Sequence, residues 1–93
     1  HMGYRIELGE IEAALMGIDG VENAVCVFDG DADYIVCCAQ TKLDPASLAA
    51  RTKEKLPKYM TPNVWKTELT LPLNPNGKVD RVMLKEKYFS EKN

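Results

Sequence analysis

A chain of 93 residues with 45% hydrophobic content is long enough for one small domain, which buries roughly 60–70% of its unfolded surface, and too short for a second core. A net charge of −2, with few aromatics interleaved among the basic residues, gives nucleic-acid binding no support. No run approaches the roughly 18 apolar residues that a membrane span needs, and no apolar signal segment precedes the first charged residues, so a cytoplasmic location is expected.

His1-Met2 reads as a tag-cleavage scar, which leaves residues 3–93 as a single domain. The only histidine is then not native, and Ser-His, Cys-His and His-metal chemistry fall away. Gly3-Tyr4-Arg5-Ile6-Glu7 opens the remainder abruptly, as a segment of something longer would. Leu8, Ile11, Leu15 and Ile18 recur at three- and four-residue steps and mark the apolar face of a helix that Gly17 or Gly20 would end, with Glu10 and Glu12 on its other face.

Residues 21–28 and 34–40 are rich in β-branched and aromatic side chains and flank Asp29-Gly30-Asp31-Ala32-Asp33, an acidic turn, so they predict a hairpin. Both runs are nearly continuously apolar, which calls for helices over at least one face of the sheet. The acidic loop lacks the distant Glu and the ligand spacing of an EF-hand. Cys26, Cys37 and Cys38 are odd in number and lack Cys-x-x-Cys spacing, so buried reduced thiols are expected rather than a metal site or disulfide.

Asp44-Pro45 is an N-cap followed by proline at the first helical position. Leu48, Ala49, Thr52 and Leu56 mark the inner face of a second helix, which Pro57 stops. Lys58-Tyr59-Met60-Thr61-Pro62 is predicted as an extended connector, and residues 64–71 as a third strand. Asn76-Gly77 then signals a two-residue hairpin turn that stands Lys78 on an elbow, with Asp80 capping a last helix through Val82, Leu84 and Tyr88. The order helix, strand, strand, helix, strand, helix predicts an α+β fold: a small two-layer sandwich of an about three-stranded sheet packed with helices, plus the turn carrying Lys78.

A lysine so placed offers a compact cation to a carboxylate or phosphate oxygen; an ordinary solvated turn is the plainer alternative. A P-loop is excluded, because the places of its first Gly and its Ser or Thr hold Pro72 and Val79. Charge is uneven: through Asp44 there are two basic and nine acidic residues, and from Pro45 onward ten basic and five acidic. The basic half could meet phosphates or an acidic partner, although a solvated helix face accounts equally for Arg51, Lys53, Lys55 and Lys58.

Three stretches, in this order, resemble the small C-terminal subdomain of the adenylate-forming superfamily of acyl- and aryl-CoA synthetases, nonribosomal peptide synthetase adenylation domains and luciferases. The likeness is greatest to amino-acid adenylation domains and D-alanine–carrier-protein ligases, and it covers essentially the whole chain. Residues Gly3-Tyr4-Arg5-Ile6-Glu7-Leu8-Gly9-Glu10-Ile11-Glu12 look like the motif after the interdomain hinge. Leu56-Pro57-Lys58-Tyr59-Met60-Thr61-Pro62 looks like the Leu-Pro-x-Tyr-Met-x-Pro motif, and Asn74-Pro75-Asn76-Gly77-Lys78-Val79-Asp80-Arg81 like the terminal lysine motif. Thr61 stands where an apolar residue is more common and Val82 where a basic one often follows, neither of them at the chemistry.

The resemblance implies a two-step ligase. An acid's carboxylate attacks the α-phosphate of Mg-ATP to give an acyl-adenylate and pyrophosphate, and a phosphopantetheine thiol then takes the acyl group. It implies Lys78 as catalytic in the first step, Asn76, Gly77 and Asp80 as supports of its turn, and Gly3, Tyr4 and Arg5 as the border of the pantetheine tunnel after the lid has rotated. ATP and Mg2+ would be bound mainly by a large N-terminal subdomain absent here. That subdomain and an acyl or peptidyl carrier protein are the implied partners, and the chain alone is expected to be inactive. Two alternatives remain open: an acyl-CoA synthetase lid, whose acceptor is free coenzyme A, and a stand-alone module that only binds a carrier protein.

Overall fold

The computed structural model describes residues 7–30 and 34–89. Expectations placed on the scar His1-Met2, on Gly3, Tyr4 and Arg5, and on Asp31, Ala32 and Asp33 of the acidic loop lie outside the described residues. In chain order the elements are α1 (Leu8–Met16), β1 (Val21–Asp29), β2 (Tyr34–Thr41), α2 (Pro45–Lys55), a 3-10 turn (Lys58–Met60), β3 (Val64–Glu68) and α3 (Arg81–Phe89).

The strands form one mixed sheet in the order β1-β2-β3. β1 runs antiparallel to β2, from Val21 opposite Thr41 to Asp29 opposite Tyr34, and β3 runs parallel to β2, from Val64 opposite Val36 to Glu68 opposite Gln40. A parallel neighbour needs a crossover, which α2 supplies.

Strand periodicity sorts the apolar residues into two cores. Ala24 and Cys26 of β1 and Ile35, Cys37 and Ala39 of β2 pack with Ile11 and Leu15 of α1, Leu48 of α2 and Met60. Their neighbours Val25, Val27, Val36 and Cys38 point the other way and pack with Leu71 and with Leu84 and Tyr88 of α3. The near-continuous apolarity of β1 and β2 therefore has a direct cause: α1 and α2 cover one face and α3 covers the other. Burial of each Leu or Ile contributes roughly 1.5–3 kcal/mol, which is what holds such short helices in place.

Helix ends follow the local chemistry. Gly17 closes α1, and Asp44 Oδ1 accepts the Ser47 N–H at 2.7 Å to open α2. Leu56 turns extended ahead of Pro57. The basic residues of α2 are exposed, yet two have work within the chain: the Lys53 ammonium lies 5.3 Å from the Trp65 ring centroid, and Lys55 Nζ donates to the Gly17 carbonyl, at the negative end of α1, at 3.4 Å.

Two expectations are corrected. The connector is not extended throughout, because the Met60 N–H donates to the Pro57 carbonyl at 3.0 Å and the Thr61 N–H to the Lys58 carbonyl at 3.1 Å. Pro62 constrains only Thr61, which is extended; the residues before it are free to coil, and coiling puts Met60 into the first core. β3 also ends at Glu68 rather than near Leu71, since Leu71 leaves the sheet to pack beneath α3.

Candidate functional site

The lysine turn is more elaborate than a two-residue hairpin. Leu73 pairs antiparallel with Val79, and the Asn74 N–H donates to the Lys78 carbonyl at 2.7 Å. Pro75 and Asn76 occupy the centre of a turn closed by the Gly77 N–H on the Asn74 carbonyl at 2.9 Å. Proline's fixed φ suits the second place of such a turn, which shifts it one residue back from Asn76-Gly77. Gly77 follows at φ 81°, in left-handed space.

Asn74 also braces the loop from inside. Its Oδ1 accepts the N–H groups of Asn76 at 2.9 Å and Lys78 at 3.1 Å. The Asp80 N–H donates to the Pro72 carbonyl at 2.8 Å, while Asp80 Oδ1 caps α3 by accepting the Met83 N–H at 3.0 Å. Lys78 is exposed, and among the described residues its ammonium has no partner.

Beyond the turn, Arg81 reaches across to α1. Its Nη1 and Nη2 meet Glu12 Oε2 and Oε1 at 2.6 and 3.2 Å, and Nη1 also donates to the Cys26 carbonyl at 3.0 Å. Glu12 Oε2 in turn accepts the Cys26 N–H at 2.9 Å. Asn23, Val25, Asn74, Lys78, Asp80 and Arg81 line a concavity of ≈ 620 Å³ between the turn and β1.

The structure places Asn76, Gly77, Lys78 and Asp80 on one loop, with Asn74 bonded inside it and Arg81 joining it to Glu12. Asn74 has a sequence signal, since asparagine ahead of proline commonly holds the backbone of a turn. Glu12 has none: helical spacing sets it on the polar face of α1, whereas its side chain is only 18% exposed beneath Arg81. Among the described residues no group of three or more His, Cys, Asp or Glu could hold a metal ion. Nor is any described helix long and apolar enough to cross a membrane.

The chain matches a family model and a set of known proteins along most of its length. Residues 10–78 match the model of the AMP-binding enzyme C-terminal domain. The chain is 43% identical over 89 residues to a dimodular nonribosomal peptide synthase of Bacillus subtilis (strain 168), covering 88% of the chain and 4% of that protein. It is 40% identical over 88 residues to tyrocidine synthase 3 of Brevibacillus parabrevis, covering 88% of the chain and 1% of that protein. Among solved structures, Klebsiella oxytoca NpsA in complex with 3-hydroxyanthranilyl-AMSN superposes with a TM-score of 0.82 at 28% identity, over 96% of this chain and 19% of that one. The chain therefore spans a small part of the length of each of these relatives.

Proposed function

The chain belongs to the AMP-binding enzyme C-terminal domain family of adenylate-forming ligases, and on that premise we propose that it is the mobile lid of an ATP-dependent amino-acid-activating enzyme, which forms an aminoacyl-adenylate and passes it to the phosphopantetheine thiol of a carrier protein. The observation that carries this reading is Lys78, an exposed cation without a partner among the described residues on a turn braced from both sides.

In the first step a carboxylate oxygen bonds to the α-phosphorus as the bond to pyrophosphate breaks. Two anions must approach, and a positioned cation offsets their repulsion and the charge that develops between them. Loss of one such donor typically costs roughly 10²–10³-fold in rate. In the second step the thiol sulfur attacks the acyl carbonyl and AMP leaves. Lid rotation would withdraw Lys78 and bring Gly3, Tyr4 and Arg5 beside the pantetheine, where glycine allows close passage of a narrow ligand. ATP with its Mg2+ and the acid would be held mainly by the large N-terminal subdomain, so the 93 residues alone would be inactive. Such an enzyme would work in the cytoplasm.

Similarity to peptide synthetases at 40% and 43% identity supports an amino acid over a fatty or aryl acid. The carrier-binding module has less support, because Lys53 and Lys55 of its basic face already serve Trp65 and Gly17. The test is ATP–pyrophosphate exchange on the intact polypeptide carrying this segment, across amino acids including D- and L-alanine and a set of fatty and aryl acids. Carrier protein and free coenzyme A are then offered as acceptors. Amino-acid-dependent exchange with acyl transfer to the carrier is expected. Exchange only with other acids, ending on coenzyme A, would replace this reading with the acyl-CoA synthetase, and no exchange with any acid would remove both.

A further inference from the structure

Glu12 and Arg81 lie 69 residues apart in the chain and form a bidentate pair, and neither has a part in the chemistry above. Their position is informative. β1 is an edge strand, and both backbone groups of Cys26 are taken by this pair, the N–H by Glu12 at 2.9 Å and the carbonyl by Arg81 at 3.0 Å. The two side chains stand where a neighbouring strand would otherwise bond.

Arg81 is also the first residue of α3, three places after Lys78. Between them the backbone is fixed at Val79 by Leu73 and at Asp80 by Pro72. Those bonds lie within the loop itself and set its shape, not its direction. Val79 packs against the second core, and Arg81 is the nearest side chain along the chain whose hydrogen bonds tie the loop to both β1 and α1. The Arg81 side chain is 49% exposed, so screening limits what the pair adds to stability at that end, while Glu12, 18% exposed, would be left largely buried without its partner. A planar fork bonded to one carboxylate and one carbonyl does fix an angle, and fixing an angle is the contribution this geometry is suited to make.

We propose that Glu12 and Arg81 are positioning residues that hold the Lys78 turn at a set angle to the sheet, so that its ammonium arrives in register for adenylate formation. The proposal rests on the reading of Lys78 as the adenylation lysine. A lysine at position 81 would keep the charge but lose the fork, and a glutamine at position 12 would keep the shape but lose the charge. Both variants therefore report on orientation more than on bulk.

The experiment uses the intact polypeptide with Arg81→Lys and Glu12→Gln, each alone and combined with Lys78→Ala. It reads kcat and KM for ATP in pyrophosphate exchange, transfer of preformed aminoacyl-adenylate to the thiol, and the melting midpoint. A misplacement on the order of 1 Å can cost about a hundredfold, so exchange kcat should fall about tenfold to a hundredfold with KM little changed. Transfer should be unaffected, and neither variant should lower the rate further once Lys78 is gone. Unchanged kcat, equal losses in both half-reactions, or the same loss in the Lys78→Ala background would overturn the proposal and leave the pair a structural one. Should Arg81→Lys fail to fold, Glu12→Gln decides alone. Full exchange in Lys78→Ala itself would instead sink the reading of Lys78, a result distinct from Lys78→Ala losing exchange while the positioning variants keep it.

Discussion

Asn74 and Lys78 hold each other across the turn: the Asn74 N–H donates to the Lys78 carbonyl at 2.7 Å, and the Lys78 N–H returns to Asn74 Oδ1 at 3.1 Å. The same Oδ1 takes the Asn76 N–H. Asn74→Ala removes the acceptor for both donors, and each such bond contributes about 0.5–1.5 kcal/mol net, so the variant should lose about 1–3 kcal/mol in urea unfolding. Asn74→Asp keeps the acceptor and should lose less. Equal stability of Asn74→Ala and the parent would show that the side chain does not brace the loop.

Gly77 tests the backbone of the same turn. Its φ of 81° is left-handed, and a Cβ built there meets nothing within 4 Å. Gly77→Ala should therefore cost about 1–2 kcal/mol through conformation alone. Gly77→Asn should cost less, because asparagine tolerates this region. A larger loss for Asn than for Ala, measured by denaturant titration, would point to a steric cause and contradict this account.

Much of this was legible in the sequence. The apolar steps from Leu8 to Ile18, the Asp44-Pro45 cap and the Asp80 cap are local signals, and local signals survived because helix ends depend on neighbours in sequence. The motif residues around Lys78 identified the turn, yet its form depended on Pro75 outweighing Asn76-Gly77. What could not be read was long-range: the placement of α3 on the opposite face from α1 and α2, and the Glu12–Arg81 pair, both depend on residues far apart in the chain that only the fold brings together. Met60 is intermediate, an apolar residue in a polar connector that coils to reach the core.

The thiols should be inert in the folded chain. Cys26 and Cys37 face each other across β1 and β2 and share a hydrogen bond. Burial pushes the Cys37 thiol far above its ordinary range and Cys38 up to about 12. The thiolate is the reactive form and all three side chains are buried from reagent, so iodoacetamide at mild alkaline pH should leave all three unmodified in the native state and label all three in guanidinium. Rapid native labelling of Cys37 or Cys38, read by mass spectrometry, would contradict the two-sided core.

Glu68 makes stability depend on acid. Tyr88 Oη and Lys87 Nζ donate to its Oε1 at 2.8 and 3.0 Å and hold its carboxyl below the ordinary value of 4.5. A lowered folded value means that the stabilisation is fully present above about pH 4.5 and is lost as pH falls through the folded value. Glu68→Gln should flatten that part of the melting curve against pH while costing under about 1 kcal/mol near neutrality. An unaltered acid limb would assign the loss to other carboxylates.

The most direct test of the central claim separates the two half-reactions in Lys78→Ala of the intact polypeptide. Adenylate formation, read in a single turnover with ATP and the cognate acid, should fall at least about a hundredfold. Transfer of preformed adenylate to the pantetheine thiol should proceed at the parent rate. Adenylate formation that persists undiminished would mean that the braced turn presents an ordinary surface lysine, and the mechanism built on it would be wrong.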